Sequence, residues 1–265
     1  MPAPSRTVAL ESSAAPVVTA GTNSMGVREA LVPVTKESYP FYAVPVTTLL
    51  ELDRWVPHQE LLKQGKLLNL TETTTAPKEI IFLSHQWTSF AQPDPGNVQL
   101  HTLQRVLKKL MEGKTEVRTN AELEQHYHVK LITTGEVWKE RLADTCVWID
   151  YMSMPQPGAA VKGRRMTTTD HRLLGESLDT NDDGEISTAE LVAGLKRGVD
   201  SIPSYIERCT QLWVLVPACE HADLTGTACD FFSWRSRGCT RFHPRIRSAP
   251  ERQTSPFPRI WAIRL

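Results

Sequence analysis

The chain has 265 residues, and its 30 basic side chains balance its 30 acidic ones at a formal net charge of zero. This balance gives no overall positive field, so we expect no nucleic-acid partner. No apolar run approaches the ~18 residues of a membrane-spanning helix, so no transmembrane segment is predicted. Hydrophobic residues make up 40% of the chain, which is enough for one core of the α/β type.

Cysteine usage points to a reducing compartment. The five cysteines are an odd number, and the N-terminus lacks the basic start and the unbroken apolar stretch of a secretory signal. We therefore predict a cytoplasmic protein whose thiols are mostly free. Residues 1–30 are also poor in acids and rich in Ala, Ser and Thr, so an organelle transit peptide stands as the alternative.

The N-terminal part divides into a leader and a helical segment. Residues 1–40 carry small residues, Pro and Thr without a helical or strand period, which predicts a disordered leader. Residues 41–75 form a predicted helical segment, because leucines cluster in two apolar patches within 47–70. Pro57 lies between the patches and is expected to divide the helix in two.

The region 76–240 alternates between apolar strands and amphipathic helices. The predicted strands, buried on both faces as in a parallel sheet, are Glu79–Ser84, Cys146–Tyr151 and Leu212–Val216. The predicted helices lie at 98–111, around 121–143 and at 201–208. In the last of these, Ser201 is expected to cap the helix and Pro203 to occupy its first turn. This order favours an α/β fold, a parallel sheet with flanking helices and right-handed crossovers.

The last segment differs in composition. From residue 235 to 265 there are eight arginines against one acidic residue, with four prolines that prevent a regular element. We predict a basic, Pro-rich disordered tail over 241–265. The alternatives are an arm that binds nucleic acid or a membrane surface, and a tail that packs elsewhere on the protein.

One segment carries a specific motif. Residues 179–190 read DTNDDGEISTAE, with acidic or amide side chains at loop positions 1, 3, 5 and 12 and Gly184 at position 6. Ca²⁺ binds six to eight oxygens at about 2.3–2.6 Å, which a twelve-residue loop of this pattern supplies. Gly184 permits the sharp bend that the loop needs. The predicted ligands are the side chains of Asp179, Asn181 and Asp183, the backbone carbonyl of Glu185 and both carboxylate oxygens of Glu190, with Ser187 acting through water.

The alternative to this calcium loop is an ordinary Asp/Asn/Gly-rich turn that caps a helix starting near Ser187. The exiting segment predicts a helix because Leu191 and Leu195 lie four residues apart, whereas Gly175 in the entering segment occupies a usually apolar position. Residues 167–198 as a whole resemble an EF-hand, and no second loop of this type occurs. A lone EF-hand has to pair between chains or lean on the α/β domain. We therefore expect self-association or an unidentified protein partner, and a dissociation constant of about 10⁻⁶–10⁻⁴ M.

The surrounding sequence is similar to TIR-like domains over about residues 78–240. The resemblance rests on IIFLSHQW at 80–87, VWIDYMSMPQ at 147–156 and SIPSYIERCTQLWVLV at 201–216. It implies a flavodoxin-like parallel sheet, self-association in signalling and, in some members, cleavage of NAD at the nicotinamide bond. It also implies one more strand and helix after the third strand.

The enzymatic members of that family rely on a glutamate just after an aromatic-Cys step in the helix that follows the third strand. The matching region, 231–244, reads FFSWRSRGCTRFHP, and no carboxylate follows Cys239 before Glu251. This departure favours a protein without hydrolase activity. No catalytic or cofactor-binding residue is therefore assigned.

Two further constellations have simpler alternatives. His85 and Asp150 lie at strand ends, where α/β folds present ligand-binding groups. The alternative is a histidine satisfied by local backbone, with Trp87 in the core and Asp150 as a loop cap. A zinc site after the third strand is disfavoured, because the ten-residue spacing of the cysteines matches no compact zinc motif. Its candidate ligands are Cys219, Cys229, Cys239, His221 and His243.

The sequence thus supports two functions. The first is calcium binding by an EF-hand inserted between the second and third strands of an α/β signalling or interaction domain. There Ca²⁺ would alter the partner surface through the helix at 201–208. The alternative is a calcium-regulated hydrolase that cleaves NAD or a nucleotide at the strand ends near His85 and Asp150.

Overall fold

The computed structural model describes residues 37–118, 132–157 and 187–236, together with the backbone of 263–264. The strands are β1 Tyr42–Pro45, β2 Leu68–Asn69, β3 Glu79–His85, β4 Val117–Arg118, β5 Ile132–Thr133, β6 Thr145–Trp148, β7 Gln211–Leu215, β8 Cys219–Glu220, β9 Ala228–Cys229 and β10 Ile263–Arg264. The helices are α1 Val46–Glu51, α2 His58–Lys63, α3 Val98–Met111, α4 Gly135–Leu142, α5 Asp150–Ser153, α6 Thr188–Arg208 and α7 Phe231–Ser236.

A mixed six-stranded sheet forms the centre of the fold, in the order β10-β7-β3-β6-β1-β2. The four neighbours β10, β7, β3 and β6 run parallel, whereas β1 is antiparallel to β6 and β2 is antiparallel to β1. The prediction of an α/β fold with flanking helices is confirmed. The prediction of a parallel sheet holds for these four strands and is wrong for the other two, because β1 enters antiparallel to β6 and the chain then returns through α1 and α2 to place β2 antiparallel to β1.

The sheet is buried on both faces. One face packs against α1, α3 and α4 through side chains such as Ile81, Val147 and Trp213. The other face packs against α6, and on it the rings of Phe82 and Trp148 stack with 4.4 Å between their centroids. Alternate residues along each strand therefore face opposite layers. This three-layer arrangement explains why the central strands are nearly continuous apolar runs.

Helix α3 begins and ends where its apolar spacing predicts. The helix predicted around 121–143 is shorter: Ile132–Thr133 pairs with β4, α4 begins only at Gly135, and residues 119–131 lie outside the described part. A Cβ atom at Gly135 would lie 2.1 Å from the carbonyl oxygen of Gly113. Because the two backbones approach this closely where α4 starts, the position requires glycine.

Helix α6 differs most from its prediction. The sequence predicts a separate helix that begins at Ser201, but α6 runs unbroken through 21 residues from Thr188. The Ser201 hydroxyl donates to the carbonyl of Arg197 instead of capping a new helix, and Pro203 lies inside the helix. Packing outweighs the local cap signal, since buried residues recur at spacings of three and four across the expected boundary. These are Leu191, Gly194, Gly198, Ser201, Ile202 and Tyr205.

The two ends of the described chain both contribute to the sheet. The segment predicted as helical, 41–75, holds α1 and α2, with Pro57 immediately before α2. It also supplies β1 and β2, which are too short to stand out in the sequence. Ile263–Arg264, within the predicted disordered tail, pairs in parallel with β7, whereas the leader up to residue 36 and the rest of the tail lie outside the described residues. Within the described part of the chain, no helix combines the length and apolarity needed to cross a membrane.

Candidate functional site

A buried polar cluster lies at the carboxyl ends of β3 and β6. His85 is the last residue of β3, and Asp150 follows β6 as the first residue of α5. β3 and β6 are parallel neighbours with Phe82 opposite Trp148, so their carboxyl ends meet at the same edge of the sheet. The structure brings the two predicted side chains together, with His85 Nε2 2.8 Å from Asp150 Oδ1.

The amide of Gln99 determines which ring nitrogens of His85 carry protons. Gln99 Nε2 donates to the carbonyl of Gln86 at 2.6 Å, so Gln99 Oε1 is the atom that faces His85 Nδ1, at 3.0 Å. An amide oxygen and an ionised carboxylate are both acceptors only. Both ring nitrogens of His85 therefore donate, and the geometry describes an imidazolium paired with the Asp150 carboxylate.

The pKa values of the two partners move in opposite directions. Burial by itself lowers the pKa of His85, but the Asp150 carboxylate and the Gln99 acceptor outweigh it and raise the pKa above its ordinary 6.5. Burial by itself raises the pKa of Asp150, but the charge and hydrogen bond of His85 hold that pKa below its ordinary 3.8. Both groups are therefore charged between about pH 3.8 and pH 6.5.

Asp150 is the side of the pair that faces solvent. Its side chain is 36% exposed, against 2% for His85. His85 Nε2 and the Tyr151 amide reach Oδ1, at 2.8 and 2.6 Å, and Trp87 Nε1 reaches Oδ2 at 3.3 Å. A carboxylate has about four acceptor positions, so these three donors leave part of its acceptor capacity unused. A ligand that donates a hydrogen bond or carries positive charge meets a fixed anionic partner here.

Aromatic rings hold this pair in place. Trp55 stacks on the His85 ring with 5.1 Å between centroids and 4° between planes, which favours the charged form of the imidazole. The Trp55 indole donates to Asp94, and the same carboxylate accepts from three amides in the first turn of α3. On the outer side, Trp87 meets the Tyr151 ring edge-on. The imidazole is thus fixed by a ring, and that ring is fixed by the start of α3.

The alternative interpretation of His85, a histidine satisfied by local backbone with Trp87 in the core, is wrong. Its partners are side chains 14 and 65 residues away in sequence, not local backbone, and Trp87 is only partly buried. Asp150 does accept from the amide that follows it, but the same oxygen also binds His85. Sequence reasoning missed Gln99, although a glutamine four residues before Leu103, on the apolar face of a predicted helix, was a signal of a buried polar contact.

The chemistry of the cluster follows from its protonation. A doubly protonated His85 cannot accept a further proton, so it does not act as a general base in this state. Asp150 remains ionised, and its lowered pKa makes it a weak base. The cluster is therefore suited to orienting a hydrogen-bond donor, or to stabilising positive charge that develops beside Oδ2.

Of the predicted calcium ligands, the structure describes Glu190, which lies in the first turn of α6. The hydroxyl of Ser187, the N-cap residue, accepts from the Glu190 amide at 3.2 Å. Glu190 Oε2 in turn accepts from the Ser187 amide at 2.9 Å and from its hydroxyl at 3.0 Å. This reciprocal capping box turns the carboxylate back towards the N-terminal side of the helix. The other predicted ligands, Asp179, Asn181, Asp183 and Glu185, lie outside the described residues.

The zinc alternative gains no support. Cys219 and Cys229 are opposite each other in the β8–β9 ribbon, and burial raises the pKa of Cys219 to about 11. Across the described ranges, no group of three or more His, Cys, Asp and Glu side chains gathers where a metal ion could be held. Cys239 and His243 lie outside those ranges.

Comparison with known proteins gives no match: no family model, no curated protein and no solved structure is similar to this chain. The function of the site is therefore inferred from the geometry and the sequence pattern of this chain alone.

Proposed function

We propose that this protein binds calcium through a single EF-hand at residues 179–190 and acts as a signalling or interaction protein. The loop offers an oxygen donor at each ligand position, and oxygen is the donor that a hard cation prefers. Mg²⁺ requires near-ideal octahedral geometry, so it should compete poorly for a loop that closes with a bidentate glutamate. The donors are Asp179, Asn181, Asp183, Glu185 and Glu190.

The observation that carries this proposal is the pairing of Ser187 with Glu190. In an EF-hand, the ninth loop residue lies near the ion and the twelfth is a glutamate that binds it with both oxygens. Here the ninth residue is the N-cap of α6, and the twelfth is its third residue, with its carboxylate turned back on the cap. An ordinary helix cap has the same hydrogen bonds, and a calcium titration separates the two.

The order of the parallel strands supports the resemblance to a flavodoxin-like, TIR-like sheet. In chain order, the four parallel strands are β3, β6, β7 and β10. Across the sheet they lie in the order β6, β3, β7, β10, which is 2-1-3-4 in chain numbering. Flavodoxin-like sheets have this order, and β10 occupies the place of the further strand that a TIR-like domain implies. Self-association, or binding of a protein partner, is the corresponding proposed role.

The proposed location is the cytoplasm. None of the four described cysteines is joined in a disulfide, and three of them are buried. Reduced thiols are typical of cytoplasmic proteins, in which glutathione and thioredoxin prevent disulfides from persisting.

Calorimetric titration of CaCl₂ into the full chain tests the calcium site. We expect one site per chain, and binding weakened at least about tenfold by Glu190→Gln, because the substitution removes a charged bidentate ligand while keeping the size of the side chain. Glu136→Gln is the matched control, since Glu136 also lies in the first turn of a helix and is exposed. Absence of heat at millimolar Ca²⁺, or equal binding by wild type and Glu190→Gln, would refute the proposal.

A second candidate function is cleavage of NAD or a nucleotide at the carboxyl edge of the sheet. The His85–Asp150 pair favours it, because a buried charged pair at this edge of an α/β sheet is typical of functional sites. Breaking a glycosidic bond develops positive charge on the sugar ring, which an ionised carboxylate stabilises. No carboxylate follows Cys239 before Glu251, so Asp150 is the residue proposed for this role.

Turnover of a fluorescent NAD analogue, with and without Ca²⁺, tests the second candidate. If this candidate is correct, Asp150→Asn abolishes turnover and Asp223→Asn retains it, because Asp223 binds Ser89 and the Phe90 amide and does not contact His85. Absence of turnover at high protein concentration with Ca²⁺ present would exclude this candidate and leave the calcium proposal intact.

A further inference from the structure

We infer that calcium at the loop and the His85–Asp150 pair are energetically coupled, and that helix α6 connects them. This inference rests on the proposed calcium site. Glu190 lies in the first turn of α6, and the helix continues unbroken to Arg208. An α-helix rises about 1.5 Å per residue, so α6 extends about 30 Å as one rigid element. A change in the orientation of its first turn is therefore carried along its length.

The first contact between α6 and the site is tight. Gly198 packs on Met154, and a Cβ atom at residue 198 would lie 2.9 Å from Met154 Sδ. Interiors packed this closely transmit displacements instead of absorbing them. A shift or rotation of α6 therefore moves Met154, which follows α5 directly.

Hydrogen bonds join the turn that contains Met154 to the backbone carbonyl of Asp150. Gln156 Nε2 donates to the carbonyl of Met154 at 2.9 Å and to the carbonyl of Asp150 at 3.2 Å. The Met154 amide also donates to the Asp150 carbonyl at 3.1 Å. Gln59 holds the turn from outside, because its side chain donates to the Gln156 carbonyl and accepts from the Gln156 amide. Displacement of Met154 consequently reorients Asp150, whose carboxylate holds His85.

A second set of contacts leads from α6 to Met152, which lies in α5. Ser201 Oγ accepts from the Tyr39 amide at 3.2 Å, and the Tyr39 hydroxyl contacts His58 Nε2 at 2.8 Å. His58 Nδ1 in turn donates to the carbonyl of Met152 at 3.1 Å. Two sets of contacts therefore join α6 to the residues that follow Asp150, one through Met154 and one through Met152.

Reciprocal linkage provides the experiment: if calcium alters the pair, then altering the pair has to change the affinity for calcium by the same factor. Calorimetric titration of CaCl₂ into wild type and Asp150→Asn is expected to give affinities that differ about fivefold or more. Asp223→Asn, which changes a carboxylate off this route, is expected to match wild type. If wild type binds Ca²⁺ and Asp150→Asn binds it equally, the coupling is refuted while the calcium proposal stands. If wild type binds no Ca²⁺, both fail.

A measurement on the wild-type chain covers the case in which Asp150→Asn does not fold. The ring carbon–proton resonances of His85 in an NMR spectrum report the geometry of the pair. We expect them to shift when CaCl₂ is added, whereas those of His101, exposed on α3, stay in place. Calcium binding without any change at His85 would overturn the coupling.

Discussion

Two buried histidines near the sheet edge differ in charge, His58 being neutral and His85 positively charged. As whole residues, His58 is fully buried and His85 is 8% exposed. Burial alone therefore does not distinguish them. His58 donates from Nδ1 to a backbone carbonyl and accepts the Tyr39 hydroxyl at Nε2, and burial lowers its pKa to about 4. His85 has acceptors on both nitrogens, one of them the Asp150 carboxylate, and its pKa is raised.

The difference shows that the partners of a buried histidine, more than its depth, decide its charge. A neutral His58 joins α2 to Tyr39, which precedes β1, and to α5 by two hydrogen bonds at little electrostatic cost. A charged His85 needs a carboxylate beside it, and such pairs seldom stabilise a fold more than well-packed apolar residues would. The pair is therefore better explained by a role at the sheet edge than by stability.

The largest expected effect is acid destabilisation through His58. The unfolded chain binds this proton near pH 6.5 and the folded chain only near pH 4. The unfolded state therefore binds more protons between these values, and stability falls as the pH drops through that window. The full difference amounts to about 3 kcal/mol. Urea unfolding at pH 7, 5.5 and 4 measures it.

Two variants isolate the contribution of His58. His58→Gln keeps a side chain that can both donate and accept but does not titrate, so the gap in stability between this variant and wild type should narrow as the pH falls from 6.5 to 4. His101→Gln, at an exposed position of α3, should follow the wild-type curve. A constant gap for His58→Gln would mean that the buried imidazole is not neutral.

The next largest effect is expected from Asp150→Asn, which leaves His85 without its counter-charge. Removing one partner of a fully buried pair costs roughly 3–5 kcal/mol. Asp150 is 36% exposed, so we expect about 2 kcal/mol at pH 5.5.

The pKa shifts of His85 and Asp150 together determine how the loss of stability in Asp150→Asn varies with pH. The folded pKa of His85 is raised above 6.5, so its contribution is lost as the pH rises through that raised value. The folded pKa of Asp150 is lowered below 3.8, so its contribution is lost as the pH falls through that lowered value. The difference between wild type and Asp150→Asn in urea unfolding should therefore be greatest between about pH 4 and 6.5. A difference that grows above pH 8 would contradict the charged pair.

The smallest effect is expected from Tyr39→Phe. The substitution removes the hydroxyl that donates to His58 Nε2 and leaves a buried acceptor, which costs about 1 kcal/mol. Urea unfolding at pH 7 measures this loss. In the NMR spectrum the ring resonances of His58 should move much more than those of His85. Equal movement at both rings would show that the two histidines do not behave independently.

The sequence predicts those parts of the fold whose signal is local. Apolar runs place β3, β6 and β7 within one to three residues of their observed ends, and α3 is predicted with its observed bounds. Elements that depend on distant contacts were missed. β1 and β2 have only a few residues each; β1 becomes a strand by pairing with β6, and β2 by pairing with β1. α6 passes through Pro203 because its buried face continues on both sides of it.

The candidate site divides in the same way. The calcium pattern is contained in twelve consecutive residues, so the sequence predicts every proposed ligand there. The sequence places His85 and Asp150 at the ends of predicted strands, but it does not give their charge states. Those depend on Gln99 and Trp55, which reach the imidazole from two other segments.

The antiparallel edge of the sheet has a consequence for synthesis on the ribosome. Val44 of β1 pairs with Val147 of β6, about 100 residues later in the chain. At a translation rate of about 5–20 residues per second, roughly 5–20 s separate the two. Throughout that interval the nascent chain carries an apolar strand without the neighbouring strand that pairs with it. A ribosome-associated chaperone therefore has several seconds in which to bind this stretch.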